Sequence, residues 1–360
     1  MTSEKICLRA AHVVVLVGLY LGIALSWPLW FSVRTYPLVP AFPSFHQPSE
    51  MLSDIFFFTY LGLLLLTLVP VMIKRAGIGA FCIAVIFCLW DQTRAQEWFL
   101  LYNGMILIIA CQRVHNPMYG ASLLQLTVFA TYFWSGIQKV NVHFLYKTFP
   151  WLIQPLVGDQ SSPVEFFYLF GLIAPIIEFG GAVCLLSRSH KVRKAGVIAL
   201  IGMHCGILFL VGPLGANWNS VIWPWNIVMS LLLILLFWNE SHRPLFGSKA
   251  YLFVMGGLFV IPFLTLLNRI DQAFGLSLYS GMKPRALLIS STEQNIDLVK
   301  WAIDECNVPP FTSERYFKQI GKQGCDEGKV QMLLIRKPKS RFSKEIIEGT
   351  YTCEDLEKQS

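Results

Sequence analysis

Residues 221–238 read VIWPWNIVMSLLLILLFW, a run without one charged side chain. A helix needs roughly 20 apolar residues to cross a hydrocarbon core about 30 Å thick, so this run predicts a membrane-spanning helix. The same ruler finds comparable runs at residues 10–32, 54–73, 166–186, 195–213 and 250–268. Three further runs, at 77–90, 97–111 and 119–138, are shorter or carry polar residues, and these are expected to line a protein interior rather than face lipid. The predicted fold is an all-α polytopic bundle of about nine transmembrane helices.

Composition agrees. Only 14% of the chain is charged, against roughly 25% in an ordinary soluble domain. About half of the Lys, Arg, Asp and Glu residues fall after residue 280, leaving the preceding stretch too few to coat a water-facing surface. A soluble fold is excluded there, and a domain boundary is expected near Ser280. The net charge of +7 does not signal nucleic acid, because the basic residues of the apolar part sit in short loops. Lys74 with Arg75, Arg113 with His115, the group Arg188, His190, Lys191, Arg193 and Lys194, and Arg243 with Lys249 share one side if every span crosses once. The positive-inside rule makes that side the cytoplasm. The N-terminus is then cytoplasmic and the C-terminal domain non-cytoplasmic, and the sequon Asn239-Glu240-Ser241 lies on the wrong side for glycosylation. The first apolar run is too long for a secretory signal peptide and lacks a small-residue cleavage site.

Two outer segments, 33–50 and 141–160, mix aromatics with prolines, a composition suited to lying in the membrane interface and roofing a cavity. Simple interfacial anchoring by Trp and Tyr explains them equally well. Residues 281–337 predict a small extramembrane α/β domain with strands at 285–290 and 330–335 and helices at 293–305 and 313–319. The tail 338–360 is expected to be disordered. The nine cysteines form no CxxC pair and no metal-type spacing. Cys306, Cys325 and Cys353 fall late enough to include one disulfide in an oxidising compartment.

Ionisable residues at membrane depth cost a few kcal/mol each and call for a partner or a purpose. Lys139 closes the fifth span, where it either snorkels to the headgroups or serves as a buried base. Glu178 sits mid-span, as a counter-ion to Lys139 or His204 or as an acceptor between helices. His204 is also mid-span, either a satisfied core histidine or a ligand. Asp91, Arg94 and Glu97 stack on one face if their helix is continuous, most simply as an ion-pair cluster.

Four stretches, WDQTRAQEWFLLYNG, TYFWSGIQKVNVHFL, the span around Glu178 running into SRSHKVRKAG, and the span containing MHCGILF, resemble bacterial membrane proteins with the HTTM domain, the group related to vitamin K-dependent gamma-glutamyl carboxylase. The resemblance covers roughly residues 50–240. It implies a bacterial inner-membrane bundle of the topology above. It also implies a quinone or hydroquinone cofactor, with Lys139, in the pattern YF-x-x-G-x-x-K, as the base that deprotonates the hydroquinone. On that basis Lys139, Glu178 and His204 are the catalytic candidates, and Asp91, Arg94 and Trp98 the cofactor-binding ones. Two departures stand out: no histidine follows Asp91-Gln92-Thr93, and the carboxylase's large lumenal domain is missing, so propeptide-directed carboxylation is not expected. The other reading is a non-catalytic maturation or interaction protein for a secreted peptide or a membrane partner. Transport is disfavoured by the lack of an internal repeat.

Overall fold

The structure is a computed structural model that describes residues 3–31, 33–42, 45, 48–112, 117–158, 168–239, 248–290 and 294–358. Arg113, His115, Arg243 and the last two residues of the sequon lie outside these, as do parts of both outer segments. The described residues form thirteen α-helices and one four-stranded sheet. In chain order the helices of the first 270 residues are α1 (Ser3–Leu25), α2 (Glu50–Leu66), α3 (Ile73–Trp90), α4 (Glu97–Gln112), α5 (Pro117–Lys139), α6 (Phe149–Val157), α7 (Ile173–Leu185), α8 (His190–Val211), α9 (Ile222–Phe237) and α10 (Lys249–Leu266).

Each of the nine expected spans falls on a helix. Four helices are long and apolar enough to cross a membrane by length and composition: Lys5–Leu25, α3, α8 and α10. Four such helices are consistent with a helical membrane protein. Helix α3 was expected to be an interior-lining helix, yet it is one of these four. Its polar neighbours Asp91, Gln92 and Arg94 all lie beyond its end, so the helix itself is apolar. The interior helix is α5, which buries 16 of its 23 residues. Its Thr127 and Thr131 donate to carbonyls one turn back, and Gln125 donates to the Leu236 carbonyl of α9 at 2.6 Å. Such bonds satisfy polar side chains where lipid or packed helices exclude water. At the opposite extreme, α10 buries only Tyr251, Pro262 and Thr265.

Close approach fixes how the helices pair. A Cβ added to Gly136 of α5 would lie 2.6 Å from the Phe179 amide nitrogen and 3.0 Å from the Pro175 carbonyl oxygen of α7. Likewise a Cβ at Gly181 or Gly196 would meet Leu200 or Cys184 at 2.7 Å, locking the lower halves of α7 and α8 together. Small residues that let backbones approach are the usual means of packing helices in membranes.

The C-terminal domain contains β1 (Arg285–Ile289), β2 (Ile296–Asp297), α11 (Leu298–Cys306), α12 (Glu314–Asp326), β3 (Met332–Pro338), β4 (Ile346–Thr352) and α13 (Cys353–Lys358). Its sheet is antiparallel in the order β2-β1-β3-β4. Asp297 starts α11 by accepting from the amides of Val299 and Lys300, and Asn307 stops it in the left-handed conformation. Here the expected disordered tail is corrected. Residues 346–352 pair along the whole of β3, and a Cys325–Cys353 disulfide ties the following helix to α12. The charge of the tail hid the open edge of β3 on which it pairs, whereas the disulfide joins two of the three cysteines expected to include one.

The domain sits on one end of the bundle. Asn307 donates to the Leu25 carbonyl at the end of α1, and its side-chain oxygen accepts from the Ser220 amide between α8 and α9. Thr93 meets the Tyr316 hydroxyl at 2.8 Å, Gln96 donates to Pro309, and Arg341 donates to the Gln138 and Leu266 carbonyls. The ends of α1, α3, α5 and α10 therefore share one end of the bundle with the turn from α8 to α9. Burial pushes the Tyr316 hydroxyl up, and lowers the Arg341 guanidinium to about 10.

Candidate functional site

A buried ion pair joins α5 to α7. The Lys139 ammonium donates to both Glu178 oxygens, at 2.7 and 2.9 Å, and to Ser135 Oγ at 2.6 Å. Both side chains are buried, 7% and 4% exposed. Gly136, one turn before Lys139, permits the contact, because it lets α5 lie against the backbone beside Glu178. A buried ion pair repays its desolvation only with good geometry and further hydrogen bonds, and this pair has both.

A second buried row runs beside it. Asn226 donates to the Ile222 carbonyl, so its oxygen faces His204 Nδ1 at 2.6 Å. That arrangement places the imidazole proton on Nδ1 and leaves Nε2 to accept from the Tyr132 hydroxyl at 2.5 Å. His204 is thus a fully partnered, neutral core histidine whose chain ends in a phenol.

Both rows open into one cavity of about 520 Å3 among α4, α5, α7, α8 and α9. Its walls are mainly apolar, with Leu101, Ile177, Met203, Ile207, Trp225 and Met229 among them. Phe149, Leu152 and Ile153 of α6 line it on the side of the C-terminal domain, so of the two outer segments the described part of 141–160 borders a cavity, whereas no described residue of 33–50 lines it. Leu276, Tyr279, Lys283 and Pro309 complete the wall from beyond the last bundle helix. Lys283 pairs with Glu97 at 3.0 Å there, a second and less buried ion pair on the same cavity. The indole N–H of Trp98, also on the wall, has no partner among the described residues.

The catalytic candidates Lys139, Glu178 and His204 therefore share one cavity. The cofactor-binding candidates do not. Trp98 reaches the cavity, whereas Asp91 and Arg94 lie outside it in a separate buried cluster with Arg34. Arg34 donates to Asp91 at 2.6 Å, and Arg94 spends its donors on the Leu29 and Trp30 carbonyls. These three residues hold the segment after α1 against the turn between α3 and α4. The expected common face with Glu97 fails because the helix stops at Asp91, whose φ of −152° and ψ of 110° are extended. Glu97 is turned instead toward Lys283.

Sequence reasoning missed Tyr132, Asn226 and Lys283. Asn226 lies within the opening apolar run, and applying the rule for buried charges to buried amides would have found it. Tyr132 lies in the quoted TYFWSGIQK stretch. Nothing local marks Lys283, because its position depends on the C-terminal domain folding back onto the bundle.

Comparison with known proteins returns no match: no family model, no curated protein and no solved structure is similar to the chain.

Proposed function

We propose that the chain crosses the membrane nine times, with its N-terminus cytoplasmic and its C-terminal domain outside, and that its bundle cavity takes a quinol-type amphiphile and exchanges a proton with it. The observation that carries this reading is the convergence of a buried Lys139–Glu178 pair and a Tyr132–His204–Asn226 row on one apolar cavity. Pockets for small ligands are typically apolar with a few placed polar groups, and their volumes run from about 300 to 1,000 Å3. A quinol needs apolar walls for its ring and partners for its oxygens. Sidedness draws support from the basic loop residues away from the C-terminal domain and from the Cys325–Cys353 disulfide within it.

The pair divides the work differently from a lone lysine base. Two carboxylate contacts hold Lys139 as an ammonium, so it has no free electron pair to offer. The acceptor is Glu178: the quinol O–H bond breaks, its proton forms the neutral acid on Glu178, and the Lys139 ammonium remains as counter-ion to the quinolate. The Tyr132 hydroxyl, whose proton goes to His204, can accept a further hydrogen bond from the ligand.

The test is extraction of the purified protein from mild detergent followed by mass spectrometry. Quinone near one equivalent per chain is expected in the wild type, with at least a fivefold loss in Lys139→Met. A wild-type extract without quinone would overturn the reading.

A further inference from the structure

We infer that the cavity opens sideways into the bilayer through a window between α7 and α8, beneath α6, and that it is loaded from the membrane with a single-chain amphiphile whose tail stays in that window. The inference rests on the quinol reading for the head of the ligand, but not for the route.

On α8 the cavity wall runs from His204, which is buried, around the helix through Met203 and Gly206 to Gly202. Gly202 shares its flank with Ala195 and Phe209, seven residues to either side, and both of these face outward without touching the cavity. The wall therefore continues onto the outer surface of the bundle. Ala199, Gly202 and Gly206 are all exposed wall residues, and a Cβ added to either glycine would meet nothing within 4 Å. Across the gap, Ile173 of α7 is 49% exposed and also lines the cavity.

The gap has a cause in the packing. Helices α7 and α8 are locked at their lower halves by the close approaches at Gly181 and Gly196. Toward the C-terminal domain they show no such contact among the described residues, and α6, which packs against α8 there, buries none of its own residues. The alternative exit, toward the C-terminal domain, is closed by Leu276, Tyr279 and the Lys283–Glu97 pair. That end is polar, and the window is apolar.

Size and polarity then select the ligand. A volume of about 520 Å3 is enough for a ring system and a short length of chain, so a longer tail must project outward. Among the described residues the window has apolar edges and no charged side chain, which suits a hydrocarbon chain in contact with lipid. The charged groups lie deep inside at Lys139 and Glu178, which sets the direction of insertion: head inward, tail outward.

The experiment fills the window. The full chain is reconstituted in phosphatidylcholine vesicles containing a polyprenyl ubiquinone, and uptake is followed by quenching of tryptophan fluorescence and by extraction of bound quinone. Three proteins are compared: wild type, Gly202→Leu/Gly206→Leu, and Gly257→Leu on α10, a site that is also open but away from the cavity. Should the double variant fold poorly, Gly202→Cys alkylated after purification closes the window in an already folded protein, with alkylated wild type as control. At least tenfold slower uptake on closure, with the α10 variant unaffected, is the expected result. If the wild type takes up quinone and closure changes nothing, the window is overturned while the quinol reading stands. If the wild type takes no quinone but carries another single-chain lipid that closure removes, the quinol reading falls and the window stands. If no bound lipid depends on closure, the window is overturned.

Discussion

The Lys139–Glu178 pair couples stability to function at the level of two atoms. Removing one partner leaves the other charged and buried, which typically costs 3–5 kcal/mol, whereas replacing both with apolar groups of similar volume is often near neutral. Glu178→Gln is therefore expected to lower stability by about 3 kcal/mol, and Lys139→Met/Glu178→Leu to recover most of it. Denaturation in detergent would measure both, and a Glu178→Gln protein as stable as wild type would show that the pair is not buried in the membrane-embedded protein. This part of the site was readable in the sequence, since an ionisable residue in an apolar run announces itself. The sequence offered Glu178 as a counter-ion to either Lys139 or His204, and only the packing of α5 on α7 decides for Lys139, across 39 residues. Arg34 shows the opposite failing: it lies in an aromatic and proline-rich segment, where its pairing with Asp91 has no local signature.

Among the elements, α5 and α7 form the joint on which the site depends. Gly136 is one of the positions where an added methyl group would strike backbone rather than a yielding side chain. Gly136→Ala is expected to push the helices apart at a cost of about 1–3 kcal/mol and to separate Lys139 from Glu178. Gly180→Ala, on a neighbouring turn where a Cβ meets nothing, is expected to be silent. Thermal unfolding together with quinone content would distinguish the two, and equal behaviour would show that α5 and α7 do not need this close approach. Helix positions were largely legible, because each run of apolar residues marked its helix, although the ends of α1 and α2 lie up to seven residues from the expected ones. Helix roles were less so. Apolarity shows that a helix belongs in the membrane environment but not which helix stands at the centre. Thus α5, among the more polar of the nine, is the most buried, and α10, uniformly apolar, is held by very little. The strand β4 escaped notice because its stability comes from pairing with β3 and from the Cys325–Cys353 link rather than from its own pattern.

For the molecule as a whole, the proposed orientation rests on the alternation of helix ends and on the clustering of basic residues at the end away from the C-terminal domain. A periplasmic-active alkaline phosphatase fused after Ser360 is expected to be active, and a cytoplasm-active reporter at the same position silent. The reverse result would invert the orientation and place the Cys325–Cys353 pair in a reducing compartment.

One consequence of the fold concerns time rather than space. The cavity wall is contributed by helices made early, α4 and α5, and by Tyr279, Lys283 and Pro309, which are made last. A nascent chain whose helices have all been inserted still has an open, unfinished chamber. The chamber is sealed only when the C-terminal domain has folded and docked through Asn307, Tyr316 and Arg341. In the proposed orientation that step follows export of the domain, and a chain stalled before it would hold its buried charges in place with no finished chamber around them.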